Sequence, residues 1–207
     1  MKRSRSALYM ALTTLLFASG ACAQEGQVVV THMEGQPMIL RAGETLPASV
    51  GLQCLETDTL MTPDGAQLDV TLNGKAGCRV LPQTEVSLQS TGSDMKVQVA
   101  RGNVILNLDK LNEGSTFQVE TPTAIASVRG TQFWGRVETA STGDPVTTFA
   151  VREGAVEVLV KSASQSFRLE QGQALDIPLS GALPVVRPAL AGELQAMEQA
   201  DSIRTAA

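Results

Sequence analysis

This sequence predicts an all-β fold, and three observations carry the prediction. Apolar and polar residues alternate with period two along most of the chain. Gly, Asn, Asp and Pro punctuate the alternating runs at short intervals, and apolar residues at helical spacing appear only near the C-terminus. Ahead of the first run, Lys2, Arg3 and Arg5 precede "ALYMALTTLLFASG", which ends in Ala21-Cys22-Ala23. A basic head, a short apolar core and an A-x-A exit are the parts of a secretory signal peptide, so residues 1–23 are expected to be removed and the mature chain to start at Gln24. The apolar run is shorter than the roughly 20 residues that span a bilayer, and no later run reaches that length. The alternative is a lipoprotein: "ASGAC" resembles a loose lipobox in which Cys22 would carry the lipid, although Ser19 stands where Leu is usual.

The strands follow in order. "QVVVTH" opens the series, and "TPDG" at 62–65 suits a type I turn with Pro63 second and Gly65 last. "LDVTL" and "KAGCRV" flank Asn73-Gly74, the strongest two-residue hairpin signal a sequence offers. "MKVQVARGNVILNL", "STFQVETP", "TTFAVREGAVEVLV" and "SFRLEQGQALDI" continue the pattern. Between them "TPTAIASVRGTQFWGRV", residues 121–137, alternates, breaks at Arg129-Gly130 and alternates again. Ala124, Ala126 and Val128 fall on one side of that strand, and Ile125, Ser127 and Arg129 on the other. Gly130 permits a bulge or a positive φ, which would shift the alternation and re-aim Phe133 or Trp134 toward the core. The glycine therefore reads as a joint. Arg129 is expected to brace it by pairing with Glu120, Glu153 or a turn carbonyl, because a charged group at a buried bend needs a partner; anion binding is the alternative.

"RGNVILNLDKLNEGSTFQVE" and "REGAVEVLVKSASQSFRLE" echo one another, and "EGQPMILRAGETL" shares their opening. This recurrence predicts similar units stacked as a β-roll, a solenoid-like sheet or a sandwich. "DIPLSGALPVVRP" reads as a linker, after which Pro188 opens a short helix with Leu190, Leu194 and Met197 on one face. The expected organisation is a β domain over 24–177 and a linker with a C-terminal helix or tail over 178–207.

Charge and residue inventory narrow the function classes. The full chain has a formal net charge of −5; without residues 1–23 it keeps 13 basic against 21 acidic residues, a net charge of about −8. Such a surface repels phosphate backbones, and no Lys/Arg run offers an exception, so nucleic acid is not an expected partner. Cys54 and Cys78 form an even pair in an exported chain and are expected to be bridged, which would stabilise the fold by roughly 3 kcal/mol; two buried thiols are the alternative. His32 is the one histidine and has no obvious catalytic partner in sequence. Two cysteines and one histidine make no zinc pattern, so no metal is expected. Asp58, Asp64, Asp69, Asp109 and Asp144 fall mostly in turns or alternate outward, and no phosphate-binding glycine loop is present, so neither a catalytic residue nor a cofactor is expected. Trp134 alternates opposite to Phe133, so one of them faces outward; an exposed Trp134 could anchor a partner, and an indole closing one end of the core is the alternative.

The order "ETDTLMTPDGAQLDVTLNG", "LPQTEVSL", "ARGNVILNL", "FQVETPTAIASVRGTQFWGRV", "FAVREGAVEVL", "LEQGQAL" resembles the FecR domain of bacterial envelope proteins over roughly residues 35–177. The most specific part runs from Thr-Pro into Arg129-Gly130-Thr131-x-Phe133, followed by Glu153-Gly154-Ala155-Val156. The resemblance implies structural roles for Gly130, Thr131, Phe133, Glu153 and Gly154. It also implies a periplasmic module that senses or binds an envelope or outer-membrane protein, with an outer-membrane lipoprotein as the alternative location. In the best-known members a transmembrane helix joins the domain to a cytoplasmic segment that controls a sigma factor; no second apolar span is seen here, so the module is expected without that circuit. Exposed sheet edges would give it a means of binding by strand addition. An envelope structural or glycan-associated role is the rival expectation.

Overall fold

The structure is a computed structural model that describes residues 27–91, 93–112, 114–179 and 184–203. The expected signal peptide and Cys22 lie outside the described residues. The chain weaves between two facing sheets. β1 (Val28–Glu34) starts the first sheet, and β2 (Met38–Arg41) and β3 (Glu44–Pro47) form a hairpin in the second. β4 (Gln53–Cys54) returns to the first sheet, β5 (Thr59–Thr62) to the second, and the hairpin of β6 (Gln67–Leu72) and β7 (Ala76–Val80) to the first. β8 (Thr84–Thr91) lies in the second sheet, while β9 (Asp94–Leu108) belongs to both: its first half pairs with β8 and its second half with β7. The hairpin of β10 (Thr116–Glu120) and β11 (Ala124–Val128) is in the second sheet, and β12 (Gln132–Thr139) with β13 (Pro145–Glu153) in the first. β14 (Ala155–Val160) and β15 (Gln165–Glu170) extend the second sheet; β16 (Gln173–Pro178) and β17 (Val186–Pro188) complete the first.

The first sheet thus runs β4-β1-β6-β7-β9-β12-β13-β16-β17 and the second β3-β2-β5-β8-β9-β10-β11-β14-β15, with β9–β10 the one parallel pair among the described residues. Neither closes into a barrel. Period-two alternation builds the core between them, because each strand turns alternate side chains inward. Phe117 comes from the second sheet and Phe133 and Phe149 from the first; all three are fully buried, and the last two rings lie 6.3 Å apart. This is the all-β, stacked architecture the alternation predicts.

Passage between the sheets is made repeatedly at one residue with positive φ: Gly35, Gly65, Gln83, Gly102, Gly130, Gly154 and Gly172. Gly130, at φ 72, carries the chain from β11 into β12, and Gly154, at φ 80, returns it from β13 to β14. The two corners stack: a Cβ added to Gly154 would lie 2.8 Å from the Gly130 carbonyl oxygen and 2.4 Å from Thr131 Cγ2. Glycine is required here twice over, by the left-handed backbone and by the neighbouring corner. The Arg-Gly and Glu-Gly echoes of the sequence mark these corners.

Cys54 and Cys78 are buried and free, which corrects the expected bridge. Cys54 in β4 pairs with Val28 of β1, β1 pairs with β6, and β6 pairs with β7, which carries Cys78. Three strand spacings of about 4.8 Å separate the two, about twice the ~7 Å that a disulfide tolerates between Cα atoms. Burial pushes the Cys54 thiol up to about 11 and that of Cys78 higher still. Both are expected to resist alkylation in the folded protein and to react without reductant once it is unfolded. A mass corresponding to one Cys54–Cys78 bridge would contradict this.

β17 pairs with β16, so part of the stretch expected as a linker is an edge strand. The helix α1 (Ala191–Glu198) follows and packs on the outer face of the first sheet. No helix among the described residues is long and apolar enough to cross a membrane.

Candidate functional site

The two sheets present different outer faces. On the second sheet, Gln118 pairs with Ser127, Ser127 with Glu157 and Glu157 with Arg168, giving one outward row across β10, β11, β14 and β15. Their inward neighbours Phe117, Val128, Val156 and Leu169 are buried, so the alternation of each strand fixes this row in solvent. The row borders an open groove of about 440 Å³ whose lining includes Thr116, Gln118, Ser127, Arg129, Glu157 and Arg168. Arg168 is already engaged, donating to Glu170 at 2.6 Å and to Glu157 at 3.2 Å. Arg129 is exposed and makes no hydrogen bond or ion pair with any described residue.

This overturns the expectation that Arg129 braces the joint. Ile125 is the residue of β11 that pairs with Glu120, whereas Val128 pairs with Phe117, so Arg129 leaves the sheet at the far end from Glu120. Glu153 is exposed and pairs with Gln132 in the other sheet. Glu120 instead receives Lys161 at 2.8 Å, Lys96 at 2.5 Å and Gln98 at 3.2 Å. Lys161 and Lys96, opposing the effect of burial and helped by Gln98, hold its carboxyl at about 2. A depressed carboxylate contributes stability that is complete above its ordinary value of 4.5 and disappears as pH falls toward 2. After discounting for the partly exposed lysines, Glu120→Gln is expected to remove about 1–2 kcal/mol at neutral pH and nothing near pH 2. Chemical denaturation of both forms across that range checks it.

Trp134 does not present itself to a partner. It faces outward from the first sheet as Phe133 faces inward, but it is only 7% exposed because the chain's own tail covers it. Ile105, Trp134, Ala150 and Ala174 form an apolar floor for Met197, Ala200 and Ile203. Polar clamps surround it. Arg79 donates to the Gln199 carbonyl at 3.0 Å, Gln132 to the Met197 carbonyl at 3.2 Å, and Arg187 to Glu193 at 2.7 Å, while Arg152 pairs with Asp201. Arg79 is itself oriented by two 2.8 Å bonds to buried Asp69. Apart from Arg187 and Glu193, six residues apart, the clamps of this strap join residues 49 to 120 apart and leave no local signal. Of the face expected in the tail, Met197 is buried and Leu194 partly buried, while Leu190 is exposed.

Other residues singled out in the sequence take structural places. Thr131 is buried against Gly154, and its carbonyl accepts from the Leu108 N–H at 3.0 Å. Asp58 and Asp69, expected in turns or facing outward, are buried ion-pair residues; Asp58 takes two bonds from Arg41, at 2.9 and 2.6 Å. Burial works to raise the Asp58 carboxyl, but Arg41 and the Leu55 N–H outweigh it and hold it below the usual range. His32 is exposed, 3.4 Å from Glu34. Among the described residues no group of three or more His, Cys, Asp or Glu is placed to hold a metal ion.

Fold and surface together define an all-β module: two facing sheets joined at glycine corners, one outer face strapped by the tail and the other carrying an open groove. Residues 58–157 match the family described as FecR protein, and over that span the chain carries a FecR domain. Among solved structures, a candidate anti-sigma factor from Parabacteroides distasonis shares the fold in crystal structures at 1.65 and 2.50 Å resolution. Each match has a TM-score of 0.57 and 22% identity, covering 68% of this chain and 64% of that one. The chain therefore spans less than two thirds of that relative. No curated protein matches the chain.

Proposed function

We propose that the protein is a non-catalytic, exported FecR-type module that binds a carboxylate-bearing extended segment of another envelope protein in the groove of the second sheet. One observation carries this reading: Arg129, which makes no ion pair with any described residue, stands in an open groove on a chain of net charge −5. A guanidinium held on the rim of a strand end offers a rigid fork to a carboxylate. Ser127 and Gln118 stand beside it with hydroxyl and amide groups for the backbone of an extended ligand. The groove reaches β15, the outer strand of the sheet, whose far edge pairs with no described strand and can accept a further one. Kinship with the FecR family supports a sensing or regulatory use of that contact, with the periplasm as its place of work.

A photo-crosslinking residue at Ser127, in protein expressed with its natural N-terminus, tests this in living cells. The reading expects a discrete adduct with one envelope protein that disappears in the Arg129→Glu variant. Adducts that are absent, or indifferent to Arg129→Glu, contradict it, and crosslinking to glycan alone favours the rival envelope-structure role.

A further inference from the structure

The first sheet holds its own tail by a fit that is matched in charge but incomplete. The face supplies Arg79, Arg152, Arg187 and Gln132; the tail answers with Glu193, Asp201 and the carbonyls of Met197 and Gln199. Small apolar residues meet at the centre, where Met197, Ala200 and Ile203 rest around Trp134. This is the chemistry of an amphipathic helix in a groove, with charge fixing the orientation. Two donors remain unanswered. Trp134 Nε1 and the Nε atom of Arg136 are buried with no hydrogen-bond partner; the Arg136 guanidinium lies 4.9 Å from the indole ring, and its Nη1 pairs with Glu138 at 3.0 Å. A buried donor without an acceptor disfavours the arrangement that buries it, so the tail is not the best ligand this face can take. Of α1 itself only Glu193 and Met197 are buried, so the hold is shared between the clamps and the apolar residues Ala200 and Ile203 that follow the helix.

We propose that the outer face of the first sheet is a docking groove for an acidic amphipathic helix of another protein, and that residues 189–203 are its resident, displaceable occupant. The groove defines that helix: a narrow apolar stripe in place of Met197, Ala200 and Ile203, carboxylates facing Arg152 and Arg187, and an acceptor above Trp134 and Arg136. Because the tail is tethered, an incoming helix must bind the freed face more tightly than the tail does at its high local concentration. Docking is thereby conditional, and it is independent of the groove on the opposite sheet.

Trp134 is the chain's one tryptophan, so its emission reports occupancy of this face directly. In the full chain carrying Met197→Asp and Asp201→Lys, which alter only the tail, the emission is expected to shift to the red while the β circular dichroism is retained. A synthetic peptide of residues 189–203 then reverses the shift saturably, and binds the wild type roughly 100-fold more weakly. The same peptide with Glu193→Lys and Asp201→Lys binds neither form. Equal peptide affinity for variant and wild type, or no binding to either, overturns the proposal. So does a wild-type dimer that trades tails, which would assign the groove to a second copy. Should the variant unfold, hydrogen exchange on the wild type decides. Tail amides that open well before those of β12 and β13 support a displaceable occupant, and opening only with the whole sheet contradicts it.

Discussion

Gly102→Ala is expected to lower stability by about 3–5 kcal/mol, the sum of a left-handed backbone on a residue with a Cβ and of overpacking at the corner. Gly102 bends β9 from one sheet into the other at φ 91, and its added Cβ would lie 2.5 Å from Thr84 Cα and 2.6 Å from the Gln83 carbonyl oxygen. Both obstacles are backbone and cannot swing aside. At this chain length the melting temperature should fall by roughly 10 °C. Gly43→Ala is the control, because φ is 84 there but nothing lies within 4 Å of the new methyl. It keeps only the backbone part, about 1–2 kcal/mol. Equal losses at the two positions would show that the stacking of corners adds nothing.

Arg79→Met is the second large effect, also about 3–5 kcal/mol, because it strands the Asp69 carboxylate at 5% exposure. It also releases the Gln199 carbonyl of the tail. The two contributions separate in the double variant Asp69→Leu with Arg79→Met. Removing both charges is expected to restore most of the stability, since a well-packed apolar pair can replace a buried ion pair at little cost. The emission of Trp134 should stay red-shifted in the double variant if Arg79 also fastens the tail. A double variant no more stable than Arg79→Met would place the loss in the tail contact instead.

Much of the fold was legible because alternation and turn chemistry are local. Asn73 and Gly74, at φ 52 and 64, make the turn their sequence announces, with Lys75 added to the loop because Leu72 pairs with Ala76, and Val128 and Ser127 take the inner and outer faces that the alternation of β11 assigns. Gly130 could be read as a joint because a break in a strand at glycine has few physical explanations. What the joint does was less legible: the same Arg-Gly signal serves a bulge or a change of sheet, and only long-range pairing distinguishes them. The brace expected of Arg129 and the exposed position considered for Trp134 failed for the same reason. Both depended on which distant residues stood nearby, Glu120 at the other end of β11 and the tail some 60 residues on from Trp134. The cysteines show it most simply, since an even count carries no information about the two strands that lie between them.

Fold and ligand site meet at two adjacent residues, and thermal melting of Arg129→Ala beside Gly130→Ala separates them. The account predicts a change within about 0.5 kcal/mol for the exposed arginine. It predicts a loss of about 2 kcal/mol for the glycine, whose φ is 72 and whose added Cβ would lie 3.2 Å from Lys110 Cα. An arginine variant that melts as low as the glycine variant would return Arg129 to the framework and leave the groove without its anchor.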